Sequence, residues 1–144
     1  MARGDPSHID LTITNPDASN RFYDRVFKFL GYEGGPCSER KPAGWINPKT
    51  GFNIQLQLAK PEHARTSHTR HAPGLHHLAF NAESRQDVDR LYQLLLEMNA
   101  TILDPPGIYY EGGYYAVFFA DPDGLKLEFV YLPRVEPSAE GAAT

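Results

Sequence analysis

One internal repeat limits the folds open to this chain more than any other feature of its sequence. Residues 7–14 alternate between polar and apolar side chains, and residues 75–82 do so again, with His77 following His8 at an offset of 69 positions. Such alternation is typical of a strand with one buried face. A helical pattern and then further strand patterns follow each alternating segment. The sequence therefore predicts two similar halves that pack against each other.

Each half contains one predicted helix. In the first half, apolar side chains recur at helical spacing between the turn residues 15–17 and Gly31, which predicts a helix over residues 17–30. In the second half, Ser84 and Asp87 open a helix in capping-box style, and an apolar stripe continues it over residues 84–98. Both helices are expected to cover the apolar faces of the strands.

The remaining strands follow each helix and are separated by turn residues. They are predicted at residues 44–46, 52–58, 114–120 and 125–131. The sequence thus predicts a single α+β domain over residues 1–144. Its parts are a first module at 7–58, a linker at 59–74, a second module at 75–132 and a flexible tail at 133–144.

Composition excludes several classes of protein. The chain has 144 residues, with 14 Lys and Arg against 18 Asp and Glu, so its formal charge of −4 disfavours a nucleic-acid-binding protein. No apolar run reaches the roughly 18 residues of a membrane span, and no apolar signal segment follows the N-terminus. The single cysteine, Cys37, excludes an intramolecular disulfide and fits a reducing compartment. We therefore expect a cytoplasmic protein whose partner is a small molecule.

Four polar side chains fall on the strand faces that point away from the helices. They are His8, Gln55, His77 and Glu128. Two imidazoles, an amide oxygen and a carboxylate are all metal-ligand types, and with water they would suit a six-coordinate ion such as Mn, Fe, Co, Ni or Zn. The alternative is a sheet face that is simply exposed to solvent, as is common in antiparallel sheets.

Four further residues are predicted to contact substrate. If strands 114–120 and 125–131 pair across a turn at residues 121–124, then Tyr115, Val117 and Phe119 share the face of Glu128. Arg70, or Arg65 in the same polar linker, is predicted to meet an anionic substrate, with simple exposure to solvent as the alternative. His76, next to His77, points to the opposite face and is predicted to pack there.

The residues around these positions resemble a known family. Residues 8–11 leading to Phe22-Tyr23, and residues 77–80 leading to the run from Asp121 to Glu128, are similar to the vicinal-oxygen-chelate superfamily. That superfamily includes glyoxalase I, extradiol dioxygenases, fosfomycin-modifying enzymes and bleomycin-resistance proteins. The resemblance implies two paired βαβββ modules whose mixed sheets form a cup, with the helices outside. It also places His8, Gln55, His77 and Glu128 at the four ligand positions of the glyoxalase I pattern.

The resemblance implies a divalent-metal-dependent lyase or isomerase acting on a small oxygenated substrate. Such an enzyme stabilises an enediolate with its metal, and Glu128 would remove the proton beside the carbonyl. The resemblance is compatible with a homodimer and leaves open which metal binds. A metal-free protein that captures an antibiotic or natural product is an alternative, as is a non-haem iron dioxygenase. Three departures stand out: Gln55 replaces a carboxylate of bacterial-type glyoxalase I, Phe118 replaces the catalytic tyrosine of extradiol dioxygenases, and the Lys/Arg-rich anion pocket of the fosfomycin-modifying enzymes is not evident.

Overall fold

The computed structural model describes residues 2–37 and 43–133, which form two four-stranded sheets with one helix each. The first module contains β1 (His8–Ile13), α1 (Pro16–Phe29), β2 (Glu33–Gly35), β3 (Gly44–Ile46) and β4 (Asn53–Leu58). The second contains β5 (His77–Asn81), α2 (Arg85–Glu97), β6 (Thr101–Ile108), β7 (Tyr115–Ala120) and β8 (Lys126–Tyr131). A short 3₁₀ helix, Pro61–His63, lies in the linker between them.

The two sheets have the same topology, which confirms the predicted α+β fold of repeated modules. The first sheet has the order β1-β4-β3-β2 and the second β5-β8-β7-β6. In each, the strand before the helix pairs in parallel with the last strand of the module, and the remaining pairs are antiparallel. No helix in the described part of the chain is long and apolar enough to cross a membrane. Apart from Pro133, the predicted tail lies outside the described residues.

Two strands have no counterpart in the sequence prediction, and both are edge strands. β2 is only three residues long and contains two glycines. β6 contains Pro105-Pro106-Gly107, which reads as a break in a strand, but its register with β7 shifts around these residues. Because an edge strand needs hydrogen bonds on one side only, it tolerates proline and bulges where a central strand would not.

The second helix is capped by Ser84 as predicted, whereas the first is capped by Asn15 and begins one residue before Asp17, where the prediction placed its start. Both helices join the two modules in one core. The side chain of Asn15 accepts a hydrogen bond from the Ala18 amide, and that of Ser84 accepts one from the Asp87 amide, both at 3.1 Å. The apolar core is continuous across both modules. Three ring contacts carry α1 onto strands of the second module: Phe22 with Phe119, Phe27 with Phe80, and Phe29 with Phe129.

A buried hydrogen bond also links the modules. The hydroxyl of Tyr23 on α1 donates to Oδ2 of Asp121 at 2.6 Å, and Oδ1 of Asp121 accepts from the amides of Asp123 and Leu125 at 2.9 and 2.8 Å. Burial raises the pKa of Asp121 and, more strongly, that of Tyr23. Thr14 at the end of the first strand binds the Asp123 carboxylate through its amide at 3.1 Å and through its hydroxyl. The turn between β7 and β8 is therefore held by the first module.

We expect Asp121→Ala to lower the free energy of unfolding by about 3 kcal/mol, because it leaves the buried Tyr23 hydroxyl and two turn amides without their acceptor. Asp121→Asn should cost clearly less, since its amide oxygen can still accept from the backbone. Urea unfolding of the three proteins measures the difference. A loss below 1 kcal/mol for the alanine variant would contradict a structural role for this residue.

Candidate metal centre

The second module brings His77 and Glu128 together on neighbouring strands. In the parallel pairing of β5 with β8, His77 lies beside Lys126 and Ala79 beside Glu128, so both predicted ligands share one sheet face. Nε2 of His77 lies 3.0 Å from Oε2 of Glu128. The hydroxyl of Tyr114 donates to the other oxygen, Oε1. Glu128 is only 1% exposed, so its carboxylate is almost completely shielded from solvent.

Burial shifts the pKa values of this pair in opposite directions. It raises the pKa of Glu128, because desolvation disfavours the charged carboxylate. Desolvation also lowers the pKa of His77, and the positive charges of Lys126 and Arg70 lower it further. His77 is therefore favoured as a neutral imidazole, which is the form that binds a metal.

The pair fits a divalent ion in donor chemistry and in spacing. Imidazole nitrogen and carboxylate oxygen both bind first-row metals, with bonds of about 2.0–2.2 Å. Two such donors on adjacent corners of a six-coordinate ion are about 3.0 Å apart, and this is the distance between the two atoms here. Two donors are too few to complete a site, so further ligands must come from elsewhere.

The first module carries the other two predicted ligands on its own sheet. In the parallel pairing of β1 with β4, His8 lies beside Asn53 and Asp10 beside Gln55, on the face opposite the buried Ile54. Nδ1 of His8 is 3.1 Å from the Ser7 hydroxyl, and the Gln55 amide donates to Asn53 at 3.2 Å.

A single chain does not assemble all four predicted ligands. Within residues 2–37 and 43–133, no three His, Cys, Asp or Glu side chains lie close enough together to hold an ion. His8 and Gln55 belong to one sheet, while His77 and Glu128 belong to the other. Each of the two histidines lies on a strand, β1 or β5, that forms the edge of its sheet in the described part of the chain.

The prediction that Tyr115, Val117 and Phe119 share the face of Glu128 is wrong. The register pairs Phe118 with Glu128, which puts these three residues on the opposite face, toward the helix-covered core. Val117 and Phe119 are buried in that core. The Tyr115 hydroxyl donates to Asp89 on α2 at 2.6 Å, and the Arg85 guanidinium lies over its ring.

The error comes from one residue in the turn. Ala120 pairs with Lys126, so the loop between β7 and β8 has five residues and Leu125 belongs to it. Asp121 stabilises this longer loop by accepting hydrogen bonds from the amides of Asp123 and Leu125. A shift of one residue moves every side chain of a strand to the other face. Treating Asp121 as a side-chain acceptor for its own turn would have predicted the correct face.

The corrected register places other residues around Glu128. Tyr114, Ala116, Phe118 and Val130 form a small apolar cluster on the Glu128 face. Nζ of Lys126 lies 4.3 Å from the centre of the Phe118 ring. Tyr114 reaches Glu128 from the residue just before β7. The predicted register, shifted by one residue, put Tyr114 on the opposite face.

The linker approaches the same face. The His68 amide donates to the Asp123 carbonyl at 2.9 Å, which holds the linker against the β7–β8 turn. Nε of Arg70 donates to Nε2 of the His71 ring at 3.3 Å. Desolvation lowers the pKa values of both His77 and Lys126, and the charge of Arg70 lowers them further. Arg70 therefore lies within electrostatic range of the pair, and its contact with substrate stays a prediction.

His76 does not pack into the core as predicted. It is exposed, and its Nδ1 lies 2.8 Å from Nδ1 of His77, on the side of that ring away from Glu128. The two rings meet edge to face, with centroids 5.0 Å apart. The contact is possible because β5 begins at His77, so His76 precedes the strand and is free of its alternation.

Known proteins resemble this chain along most of its length. The family model "Glyoxalase/Bleomycin resistance protein/Dioxygenase superfamily" matches residues 6–129. "Uncharacterized protein YqjT" of Bacillus subtilis (strain 168) is 34% identical over 125 residues, which are 85% of this chain and 95% of that one. "Metallothiol transferase FosB" of Shouchella clausii (strain KSM-K16) is 30% identical over 124 residues, or 85% of this chain and 76% of the relative.

Solved structures share the fold. A protein from Bacillus halodurans superimposes with a TM-score of 0.75 and 29% identity, covering 90% of this chain and 96% of the other. A glyoxylase/bleomycin resistance protein/dioxygenase domain from Frankia sp. EAN1pec superimposes with a TM-score of 0.73 and 24% identity, covering 94% and 96%. The second likeness concerns the fold alone.

Proposed function

Because the chain belongs to the Glyoxalase/Bleomycin resistance protein/Dioxygenase superfamily, we propose that it is a divalent-metal-dependent lyase or isomerase of the glyoxalase I type. The observation that carries this proposal is the contact between Nε2 of His77 and the buried Glu128 carboxylate, with its 3.0 Å spacing. A buried carboxylate that accepts from a neutral imidazole on one oxygen and from a tyrosine hydroxyl on the other is costly to maintain for stability alone.

The metal would be held by ligands from two copies of the chain. His77 and Glu128 would come from one copy, and His8 and Gln55 from the other, since the two pairs lie on different sheets of one chain. Strands β1 and β5 have unpaired edges in the described part of the chain, and their lengths of six and five residues are suited to pairing with another strand. A two-fold dimer would build two identical sites.

A bound divalent ion would supply Lewis-acid stabilisation of negative charge on two neighbouring oxygens of the substrate. Glu128 would remove the proton beside the carbonyl, because burial raises its pKa and so makes it a better proton acceptor than an exposed carboxylate. Phe118 and the apolar cluster of Tyr114, Ala116 and Val130 would exclude water from this face. Lys126 and Arg70 make its surroundings positive, which favours a substrate that carries an anionic group.

A complementation experiment tests both the site and its division between copies. His8→Ala and Glu128→Gln should each lose metal binding, but co-expressed chains form a mixed dimer in which one of the two sites has all its native ligands. With random pairing, about a quarter of the wild-type sites should be restored. Metal content of the purified dimer and isomerisation of a glutathione hemithioacetal measure the recovery.

The matched control co-expresses His77→Ala with Glu128→Gln. Both changes lie in the second module, so every site of every dimer lacks one ligand and no recovery is expected. Recovery with the first pair but not with the second supports the proposal. If neither pair recovers while the wild-type protein binds metal, the shared site is wrong; if the wild-type protein binds none, the metal-dependent activity is wrong.

A second candidate is metal-dependent transfer of a thiol. It is favoured by the relative named "Metallothiol transferase FosB" and by the positive surroundings of the site. The two activities differ in their use of thiol: an isomerase regenerates free glutathione, whereas a transferase consumes it together with a second substrate. Assay of free thiol during turnover therefore separates them.

A further inference from the structure

We propose that His76 is a positioning residue that hydrogen-bonds to Nδ1 of His77 in either proton arrangement of that ring, and thereby allows Nε2 of His77 to give up its proton and bind a metal. The inference rests on the proposed metal site, but its first measurement does not require metal. It assigns a role to a side chain outside the four predicted ligands.

The argument begins with the two nitrogens of His77. Its Nε2 faces Oε2 of Glu128 at 3.0 Å, and its Nδ1 faces Nδ1 of His76 at 2.8 Å. Both ring nitrogens are therefore engaged by side chains. A neutral imidazole has one N–H and one lone pair, so these two contacts cannot be chosen independently.

The partner of His77 Nδ1 is the imidazole of His76, which is an unusual hydrogen-bond partner for a metal-binding histidine. Metal-binding histidines ordinarily donate their second N–H to a carboxylate, a carbonyl or water, which can only accept or is mobile. A neutral imidazole can either donate or accept through the same nitrogen, depending on its own tautomer. His76 can therefore serve both proton arrangements of His77 without moving.

In the metal-free protein, Nε2–H of His77 donates to the ionised Glu128, and Nδ1–H of His76 donates to Nδ1 of His77. If a metal were bound through Nε2 of His77, the proton would lie on Nδ1 and would be donated to an unprotonated Nδ1 of His76. The exchange would balance: Nε2 of His77 would give one proton to solvent, one proton would pass from His76 to His77, and Nε2 of His76 would take one from water. The exposure of His76 makes the last step open to solvent.

A third histidine, His71, lies beside His76. Its ring meets that of His76 edge to face, with centroids 5.8 Å apart, and it accepts a hydrogen bond from Arg70. A leucine at this position can fill the same space against the His76 ring, so the contact between Nδ1 of His76 and Nδ1 of His77 does not require the His71 imidazole. His71 has a similar exposed position but no hydrogen bond to His77 among the described contacts, so it provides a matched control.

The test uses His76→Leu, His76→Asn and the control His71→Leu in the full chain. Leucine can neither donate nor accept, whereas an asparagine amide can do both at nearly the position of Nδ1. Nitrogen-15 NMR of the histidine rings reports the tautomer of His77 in the metal-free proteins. Calorimetry with Zn²⁺ reports affinity, and thermal unfolding checks that each variant is folded.

We expect the wild-type protein to show His77 protonated on Nε2 without metal and on Nδ1 with Zn²⁺. His76→Leu should weaken Zn²⁺ binding about 10-fold or more, as loss of an outer-shell partner does elsewhere, and should abolish the hydrogen-bonded Nδ1 signal. His76→Asn should stay within about threefold of the wild type, and His71→Leu should match it.

An unchanged His77 ring signal in metal-free His76→Leu overturns the proposal, whatever the protein does with metal. Unchanged Zn²⁺ affinity in His76→Leu overturns it as well, as does an asparagine variant as weak as the leucine variant. If the wild-type protein binds no Zn²⁺, the metal site itself has failed, and the ring signals still decide whether His76 holds His77.

Discussion

The Glu128→Gln protein should lose its metal and its activity while becoming more stable. Removing the carboxylate takes away the charged ligand of the four and the proton acceptor, so we expect divalent-ion affinity to fall about 100-fold or more and turnover to disappear. The fold should persist, because the helix-covered core is formed by the other face of β8, through Leu127 and Phe129. Calorimetry with Zn²⁺ or Mn²⁺ and a hemithioacetal assay measure both losses.

The stability gain follows from the direction of the pKa shift. Burial raises the pKa of Glu128 in the folded protein, so the folded state holds the proton more tightly than the unfolded state. The corresponding stability is present at low pH and is lost as the pH rises through the folded-state pKa. Glutamine is neutral at every pH, and the variant should therefore exceed the wild type by about 1 kcal/mol at pH 8 and by much less near pH 4.

Urea unfolding at the two pH values, without added metal, measures this difference. Glu111→Gln is the matched control, because Glu111 is an exposed carboxylate in the loop before β7. An equal gain at both pH values, or a gain also in the control, would show that desolvation of Glu128 is not the cause. Full metal content and activity in Glu128→Gln would defeat its assignment as ligand and base.

The sequence could predict the fold because the repeat carries it. The alternation around His8 and around His77, the helix cap at Ser84 and the apolar stripes of both helices all agree, and each depends on neighbouring residues only. Where local signals conflicted, prediction failed. Strand β6 was missed because Pro105-Pro106-Gly107 lies inside it, and only its position at the sheet edge makes it tolerable.

The site was predictable to the extent that it depends on strand alternation. His77 and Glu128 lie on adjacent strands, so their shared face follows from the parallel register of β5 and β8. The predicted face of Tyr115, Val117 and Phe119 depended on the length of one turn. The loop has five residues instead of four, which places these side chains on the face opposite Glu128. Tyr114 and His76 lie just outside strands; Tyr114 contacts Glu128 on the neighbouring strand, whereas His76 contacts His77, its neighbour in sequence.

Gln55 offers the strongest gain of function in the proposed site. Its neutral amide oxygen is a weaker ligand for a divalent ion than a carboxylate, and Gln55→Glu would add a second negative charge to the ligand set. The fold should tolerate this substitution, because Gln55 is only half-buried. Its one described side-chain hydrogen bond is to Asn53, whose amide can rotate so that its NH₂ group donates to a carboxylate. We expect divalent-ion affinity to rise about 10-fold or more and hemithioacetal isomerisation to appear or increase.

The control is Gln57→Glu, which adds the same charge two residues further along the same face of β4. Gln57 is exposed and its amide donates to Asp10 at 3.0 Å, so its carboxylate would lie near another carboxylate instead of the ion. A charge that acts only through the general field of the face would raise metal affinity about equally in both variants. A ligand acts by contact, so the gain should be confined to Gln55→Glu. Unchanged affinity in that variant would mean that Gln55 does not touch the ion, and the set of four ligands would then reduce to His8, His77 and Glu128.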